Sequence, residues 1–492
     1  MANSWKPVNT DDDGDEISIK RQGLRCSVAT KVIACLVLLF LLGAVVFGAI
    51  IFFPSKSYPQ PIKSYSNDTH GIFGHQCQSL EIPLSGREIK NAHPSAFTFR
   101  GFVGIFSFGE TYTDKIPKIL NLVPNCTPQG VSAQQEFHEY VIRANSDRFK
   151  RFLTYDSAFN QFPLTPDPHR CEPGQLTATG ALQLMRTGNY LYQLYAPRAL
   201  FASLKKTEIF IASTVDPRTF QSVVAFASTF FYNVPNINIK RLHIVASNTT
   251  YFCFDEHCQC PKYEDLKQEA YSEHIEQFQA GSSPKVYDRI QTLGKMVGIN
   301  QVDHPRHLMD ALLGKYVCRR EPVSCTPEGD CLGLDDYLQV SEESEKIENR
   351  LYATNSSSAR SKAMIDAWEV LEHVANATAI ARLEKKGRTV VKILSGHNFN
   401  IESVVHALML NYTLPVPVAS RLIFEIYEIT LPVKKETLFF RILLNGKDVT
   451  RDFPFCAGVS ISTFCAANRV VNYVKNDLFK LQNATSLEEM CN

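Results

Sequence analysis

Twenty-two consecutive residues without a charge, 32–53, constrain this chain more than any other feature of its sequence. At about 1.5 Å of rise per residue, a helix of that length reaches about 33 Å, enough to cross the hydrocarbon core of a bilayer. A cleaved signal peptide and a buried core helix are the competing readings. A signal peptide has an apolar region of roughly 7–15 residues behind a short basic start. Here a polar stretch, residues 1–31, comes first and the apolar run is too long. The expectation is a retained anchor. Lys20, Arg21, Arg25 and Lys31 precede it, while Lys56 and Lys63 follow it. Positive charge beside a span stays cytosolic, and the acidic run from Asp11 to Glu16 counts little in that rule. The expected topology is therefore type II. Residues 1–31 form a cytosolic tail, 32–53 the transmembrane anchor, 54–85 a Pro- and Ser-containing stem, and 86–492 a lumenal domain.

The cysteines agree with that compartment. Of 14, Cys26 and Cys35 lie before or within the span, leaving an even twelve beyond it. Disulfides are the default for cysteines in an oxidising lumen. The tight group Cys253, Cys258 and Cys260 admits a metal reading, but no histidine pair stands at finger spacing, although His257 is adjacent. Neither a metal nor a cofactor is expected. Asn-x-Ser/Thr sequons at Asn67, Asn125, Asn248, Asn355, Asn376, Asn411 and Asn483 all follow the span and are candidate glycosylation sites. The charge balance, 51 Lys plus Arg against 50 Asp plus Glu, gives no reason to expect a nucleic-acid partner.

Beyond the stem, strand-like and helix-like segments alternate. Phe102 to Phe106 is a short apolar strand followed by Gly109. Ile209 to Ala212 is another, followed by a helical stretch from Arg218 to Phe231. Thr389 to Leu394 is a third, turning at Ser395-Gly396 into an apolar-periodic segment from Ile401 to Leu410. Strand, turn and helix repeated at a distance predict an α/β sheet flanked by helices, with sites at the carboxyl ends of the strands. Arg421 to Ile429 and Leu438 to Leu444 predict a hairpin, and Asn445-Gly446 a turn after it. Residues 235–375 are richer in charge and helix formers, such as Tyr263 to Gln279 and Ser361 to Val374. That stretch is expected to be a mostly helical insertion capping the sheet.

Several of these segments resemble the histidine acid phosphatase superfamily. Cys171-Glu172-Pro173-Gly174-Gln175-Leu176-Thr177-Ala178-Thr179-Gly180, with Gln183 after it, is similar to the family's G-x-L-T-x-x-G segment. Ser213-Thr214 with Arg218, Thr219, Gln221 and Ser222 resembles its second element, and Ser395-Gly396-His397 its third. Arg421 to Glu425 and Arg441 to Gly446 are similar to its C-terminal hairpin. Cys171-Glu172, Phe252-Cys253 with Cys258-x-Cys260-Pro261, and Asn445-Gly446-x-Asp448-Val449-Thr450 resemble the 2-phosphoxylose phosphatase branch in particular. The resemblance spans roughly residues 95 to 480.

What it implies is a reaction that these residues cannot carry. Active members carry R-H-G-x-R-x-P after the first strand: the histidine attacks phosphorus and the arginines hold the phosphate oxygens. A later His-Asp pair supplies a phosphate ligand and the acid for the leaving group. Placing Gly109 on the motif glycine puts Ser107 at the first arginine, Phe108 at the nucleophile and Thr111 at the second arginine. Phenylalanine has no lone pair with which to form a phosphoenzyme. Ala212 stands where many members carry a further arginine. His397 is retained, but Asn398 replaces the aspartate and cannot act as a general acid. Between His93 and His138 there is no histidine, so no local shift restores a nucleophile.

The expectation is a catalytically inactive, Golgi-type membrane protein, with the plasma membrane as the other location. The resemblance links it to glycosaminoglycan linker synthesis, through binding of a glycan or a glycan-synthesis enzyme, with His397 and Arg218 as candidate binding residues. The alternative is an active phosphomonoesterase of 2-phosphoxylose type using non-standard residues. A glycosyltransferase is the third reading and the weakest, because Asp335-Asp336 lacks the Asp-x-Asp spacing of such metal sites.

Overall fold

The computed structural model describes residues 97–112, 126–170, 172–198, 200–201, 203–237, 241–247, 260–312, 329–353, 357–382, 388–410, 416–429, 438–456 and 464–492, with Cys77, Leu80, Cys318 and Cys325. The expected tail, anchor and nearly all of the stem lie outside them, as do Asn67, Asn125, Asn248, Asn355, Asn411, Cys171, Cys253 and Cys258. Among the described residues, no helix is long and apolar enough to cross a membrane.

Nine strands form one mixed sheet: β1 (Phe97–Ser107), β2 (Leu153–Tyr155), β3 (Thr207–Thr214), β4 (Leu242–Ser247), β5 (Thr389–Gly396), β6 (Arg421–Ile429), β7 (Leu438–Leu444), β8 (Lys447–Asp448) and β9 (Cys465–Ala466). Their order is β2-β4-β3-β5-β1-β6-β7-β8, with β9 also on β7. β2, β4, β3, β5 and β1 run parallel, and β6 begins the antiparallel part. β1 is central, which its sequence explains. Phe102 and Phe106 enter one helical layer and Val103 and Ile105 the other, so both faces are buried, as a parallel sheet requires. The pairing of β1 with β6 shifts between Phe99 and Gly101. Gly101 has φ +117°, and a Cβ there would lie 1.8 Å from the Val390 carbonyl oxygen.

Nine helices matter to the site and the cap: α1 (Val131–Asn145), α2 (Ala178–Tyr195), α3 (Pro217–Phe230), α4 (Tyr263–Gly281), α5 (Pro284–Met296), α6 (Pro305–Leu312), α7 (Leu334–Ala353), α8 (Ser358–Arg382) and α9 (Asn398–Ala407). α1, α2 and α3 pack on one face, around Phe220, Phe226 and Phe230. α8 and α9 cover the other, around Val370, Val374 and Val404. α4 to α7 enclose an apolar centre of their own, including Phe278, Leu293, Leu308 and Ile347.

The helical insertion is thus narrower than its expected 235–375. Leu242–Ser247 is a sheet strand hydrogen-bonded to β3, and α8 packs on the sheet as well as on α4. The predicted hairpin forms with the expected bounds, and Asn445 and Gly446 take φ of 49° and 79°, the positive values a tight turn needs. Inside the hairpin, Glu425 and Arg441 are cross-strand partners with a buried Nε to Oε2 bond of 2.6 Å. The Tyr195 and Tyr427 hydroxyls also donate to Glu425, at 2.9 and 3.1 Å. Four disulfides are described: Cys77–Cys318, Cys260–Cys491, Cys325–Cys331 and Cys456–Cys465. Cys126 is also disulfide-bonded.

Candidate functional site

The carboxyl ends of β1, β3 and β5 lie side by side, because β5 is hydrogen-bonded to both of the others. Their ends carry Ser107-Phe108, Ser213-Thr214 and Gly396-His397, so the topology alone gathers the three elements singled out in the sequence. The segment after β1 is fixed from several directions. The Phe108 amide donates to the Gly396 carbonyl at 3.0 Å, and its own carbonyl accepts from the Ala419 amide at 2.8 Å. Gly109 lies against α2 so closely that a Cβ would sit 2.1 Å from the Gly180 carbonyl oxygen. The glycine is therefore required for close approach, and its amide donates to Ser222 Oγ at 3.2 Å.

Around Phe108 the retained residues converge. The edge of its ring meets His397 at 5.3 Å between centroids with the planes 84° apart, and Arg218 Cζ lies 5.0 Å from its centroid. Sequence reasoning missed the fourth member, Asp216. It is the N-cap of α3, its Oδ1 accepting from the Arg218 amide at 2.9 Å, with Pro217 at the first helical position. An Asp-Pro pair at a helix start reads simply as a cap, and that hides its second task. Arg218 Nε lies 3.1 Å from both Asp216 carboxylate oxygens, and His397 Nε2 lies 3.6 Å from Oδ2.

The electrostatics follow. Burial opposes the charge on Asp216, but hydrogen bonding to His397 and the Arg218 charge outweigh it and hold the carboxyl down at about 2. Burial lowers the His397 imidazole below its ordinary range, against the raising influence of Asp216. The pocket thus holds an ionised carboxylate, an arginine bound to it and a histidine favoured in its neutral form. A phosphate dianion entering here would meet Asp216 and would have to compete with it for Arg218, the reverse of a preorganised anion site.

The substituted positions have been absorbed into structure. Ser107 Oγ accepts from the Ser420 amide at 2.8 Å and donates to the Pro417 carbonyl, tying β1 to the turn before β6. Thr111 forms a β-bridge with Leu176. Ala212 is buried inside β3. Glu110 accepts from Thr177 Oγ1 at 3.0 Å, and its amide donates to Gln183 Oε1 at 2.8 Å. Asn398 opens α9, and its buried Oδ1 has no hydrogen-bond partner among the described residues. The structure therefore brings Phe108, Arg218 and His397 together. Ser107, Thr111 and Ala212 are instead occupied by backbone and core. Of the sequons, Asn376 on α8 and Asn483 are described, and both are exposed.

A family model of the histidine phosphatase superfamily (branch 2) matches residues 108–312. Over that stretch the chain is similar to the histidine phosphatases. It is 27% identical over 364 residues to 2-phosphoxylose phosphatase 1 of Danio rerio, a match covering 68% of this chain and 70% of that protein. To the Homo sapiens protein of the same name it is 26% identical over 347 residues, 66% of each. The phytase from D. castellii superposes with a TM-score of 0.50 at 14% identity, over 89% of this chain and 91% of the phytase, and this likeness concerns the fold. The match begins at Phe108 and runs into the cap as far as Leu312, so it includes the segment after β1.

Proposed function

We propose that this chain is a catalytically silent histidine phosphatase whose altered pocket serves recognition rather than phosphoryl transfer. The observation that carries this reading is Phe108. At the position the family resemblance gives to the nucleophile stands a ring with no lone pair, packed between His397 and Arg218. Arg218 is bound to Asp216, and the positions that the resemblance gives to arginines hold Ser107, Thr111 and Ala212. Similarity to 2-phosphoxylose phosphatases supports a ligand or partner from glycosaminoglycan linker synthesis: a neutral xylose-containing glycan or an enzyme that builds it. In this reading the chain is a type II protein of the Golgi membrane, held by residues 32–53.

The test is direct. The full-length chain is assayed against a 2-phosphoxyloside and 4-nitrophenyl phosphate, with phosphate release as the readout. No turnover above background is expected. Phe108→His alone gains none either, because the positions for the phosphate-holding arginines stay empty of charge. Turnover in the wild type that His397→Ala abolishes would reverse the conclusion in favour of an active phosphomonoesterase with unusual residues. Binding of linker-region glycans, followed by calorimetry, checks the recognition half of the proposal; Arg218→Ala is expected to weaken it.

A further inference from the structure

Away from the altered pocket, the cap gathers a second set of chemistry-bearing side chains. His274 comes from the middle of α4, His304 from the residue before α6, and Glu348 from α7. All three are buried, and each offers one ligand atom to a common point, the atoms lying within 4.8 Å of one another. We propose that His274, His304 and Glu348 form a binding site for a divalent transition metal of the zinc class, which fastens three elements of the cap together.

The donor set is the first argument. Two imidazoles and one carboxylate suit zinc and its neighbours, whereas calcium and magnesium take sites built from oxygen. Orientation is the second. His274 Nδ1 donates to the Ala270 carbonyl at 2.6 Å, one helical turn earlier. That bond fixes the ring and turns Nε2 toward Glu348, 3.3 Å from its Oε1. Anchoring the second nitrogen on a backbone carbonyl is how proteins commonly set a ligating histidine. His304 Nδ1 accepts from the Arg306 amide at 3.1 Å, so its lone pair is engaged with that amide. An ion bound at that nitrogen takes the place of the amide.

The third argument is the surroundings. The nearby cation, Arg306, is hydrogen-bonded to Asp310 at 3.2 Å and Glu402 at 2.7 Å, so its bonds join α6 to α9. Glu348 instead faces His274 within the trio itself. Phe278, Leu308, Ile347 and Leu351 form the apolar shell of the same cap, and a dry shell strengthens metal–ligand attraction. Without an ion, the trio is a hydrogen-bonded His–Glu pair with a second imidazole stacked on it at 4.6 Å. The two readings differ in what the protein takes up.

The full-length chain, stripped with a chelator, is titrated with Zn²⁺ in a calorimeter and with Co²⁺ in a spectrophotometer. One equivalent is expected to bind, with visible Co²⁺ bands lacking a thiolate charge-transfer component. The melting temperature is expected to rise by about 5 °C at a hundredfold excess over Kd. Glu348→Gln and His304→Ala should each weaken binding at least about tenfold and remove the bands, while circular dichroism stays that of the wild type. Should Glu348→Gln not fold, His304→Ala carries the test, because His304 makes no ion pair among the described residues. The exposed His138→Ala is the control and should bind as the wild type does. Absence of stoichiometric uptake of either ion overturns the proposal. So does uptake undiminished in His304→Ala.

Discussion

Two buried histidines in this molecule face carboxylates at similar range and end in opposite states. In the pocket, His397 Nε2 stands 3.6 Å from Asp216; in the cap, His274 Nε2 stands 3.3 Å from Glu348. The difference lies in what else each carboxylate holds. Burial lowers the His397 imidazole, and the Arg218 guanidinium held on both Asp216 oxygens lowers it further. Among the described residues no arginine is hydrogen-bonded to Glu348, and Ala270 accepts the other proton of His274. That imidazole is raised in spite of its burial. A histidine's neighbour is thus an incomplete guide to its protonation; the neighbour's other commitments decide it.

The largest effect should come from the cap. Glu348→Ala removes one half of a buried pair and is expected to cost about 3–5 kcal/mol in denaturant unfolding; a loss below 1 kcal/mol would mean the pair is not desolvated as described. Next is the plug. Phe108→Ala opens a space beside His397 and Arg218, and about 3 kcal/mol of stability should go with it, read from the same unfolding curves. This residue would then be holding the pocket together rather than merely failing to react.

Protonation separates the two histidines further. His397 has its folded pKa below the unfolded value near 6.5, so its contribution is complete above that pH and is lost as pH falls through the folded value. His274 behaves oppositely: its contribution is complete below about 6.5 and disappears as pH rises through its raised value. Each amounts to about 1.4 kcal/mol per unit of pKa difference. Imidazole resonances in the metal-stripped chain should show His274 titrating above 6.5 and His397 below it. Coincident titrations would remove the contrast. The smallest effect belongs to Asp216→Asn, about 1 kcal/mol, since asparagine still caps α3. The informative readout there is His397, whose titration should move lower once the carboxylate that raises it is gone.

Much of the sheet side was legible in the chain. Short apolar runs followed by turns placed β1, β3 and β5 and pointed to the β6–β7 hairpin, and the family resemblance had singled out Phe108, Arg218 and His397 at the strand ends. What escaped was whatever depends on a residue serving two structures. Asp216 looks like a helix cap because it is one, and nothing in its spacing points across to His397. β4 is short and opens with Leu242-His243, so it read as part of a polar insertion until its pairing with β3 was seen. The cap trio is scattered over three elements, and only tertiary packing supplies the missing distances.

The position of β1 has a consequence for how the chain is made. This strand emerges first among those of the sheet, yet it becomes the middle one, and both neighbours, β5 and β6, come from beyond residue 388. Until they are synthesised, Phe97-Thr98-Phe99 and Phe102-Val103-Gly104-Ile105-Phe106 have no strand to pair with, and their aromatic rings no finished layer to enter. Pairing across such a sequence distance is slow and leaves sticky edges open. The nascent chain should therefore depend on chaperone protection over that interval. A lesion in β5, far from the altered pocket, would be expected to show itself first as aggregation during biosynthesis.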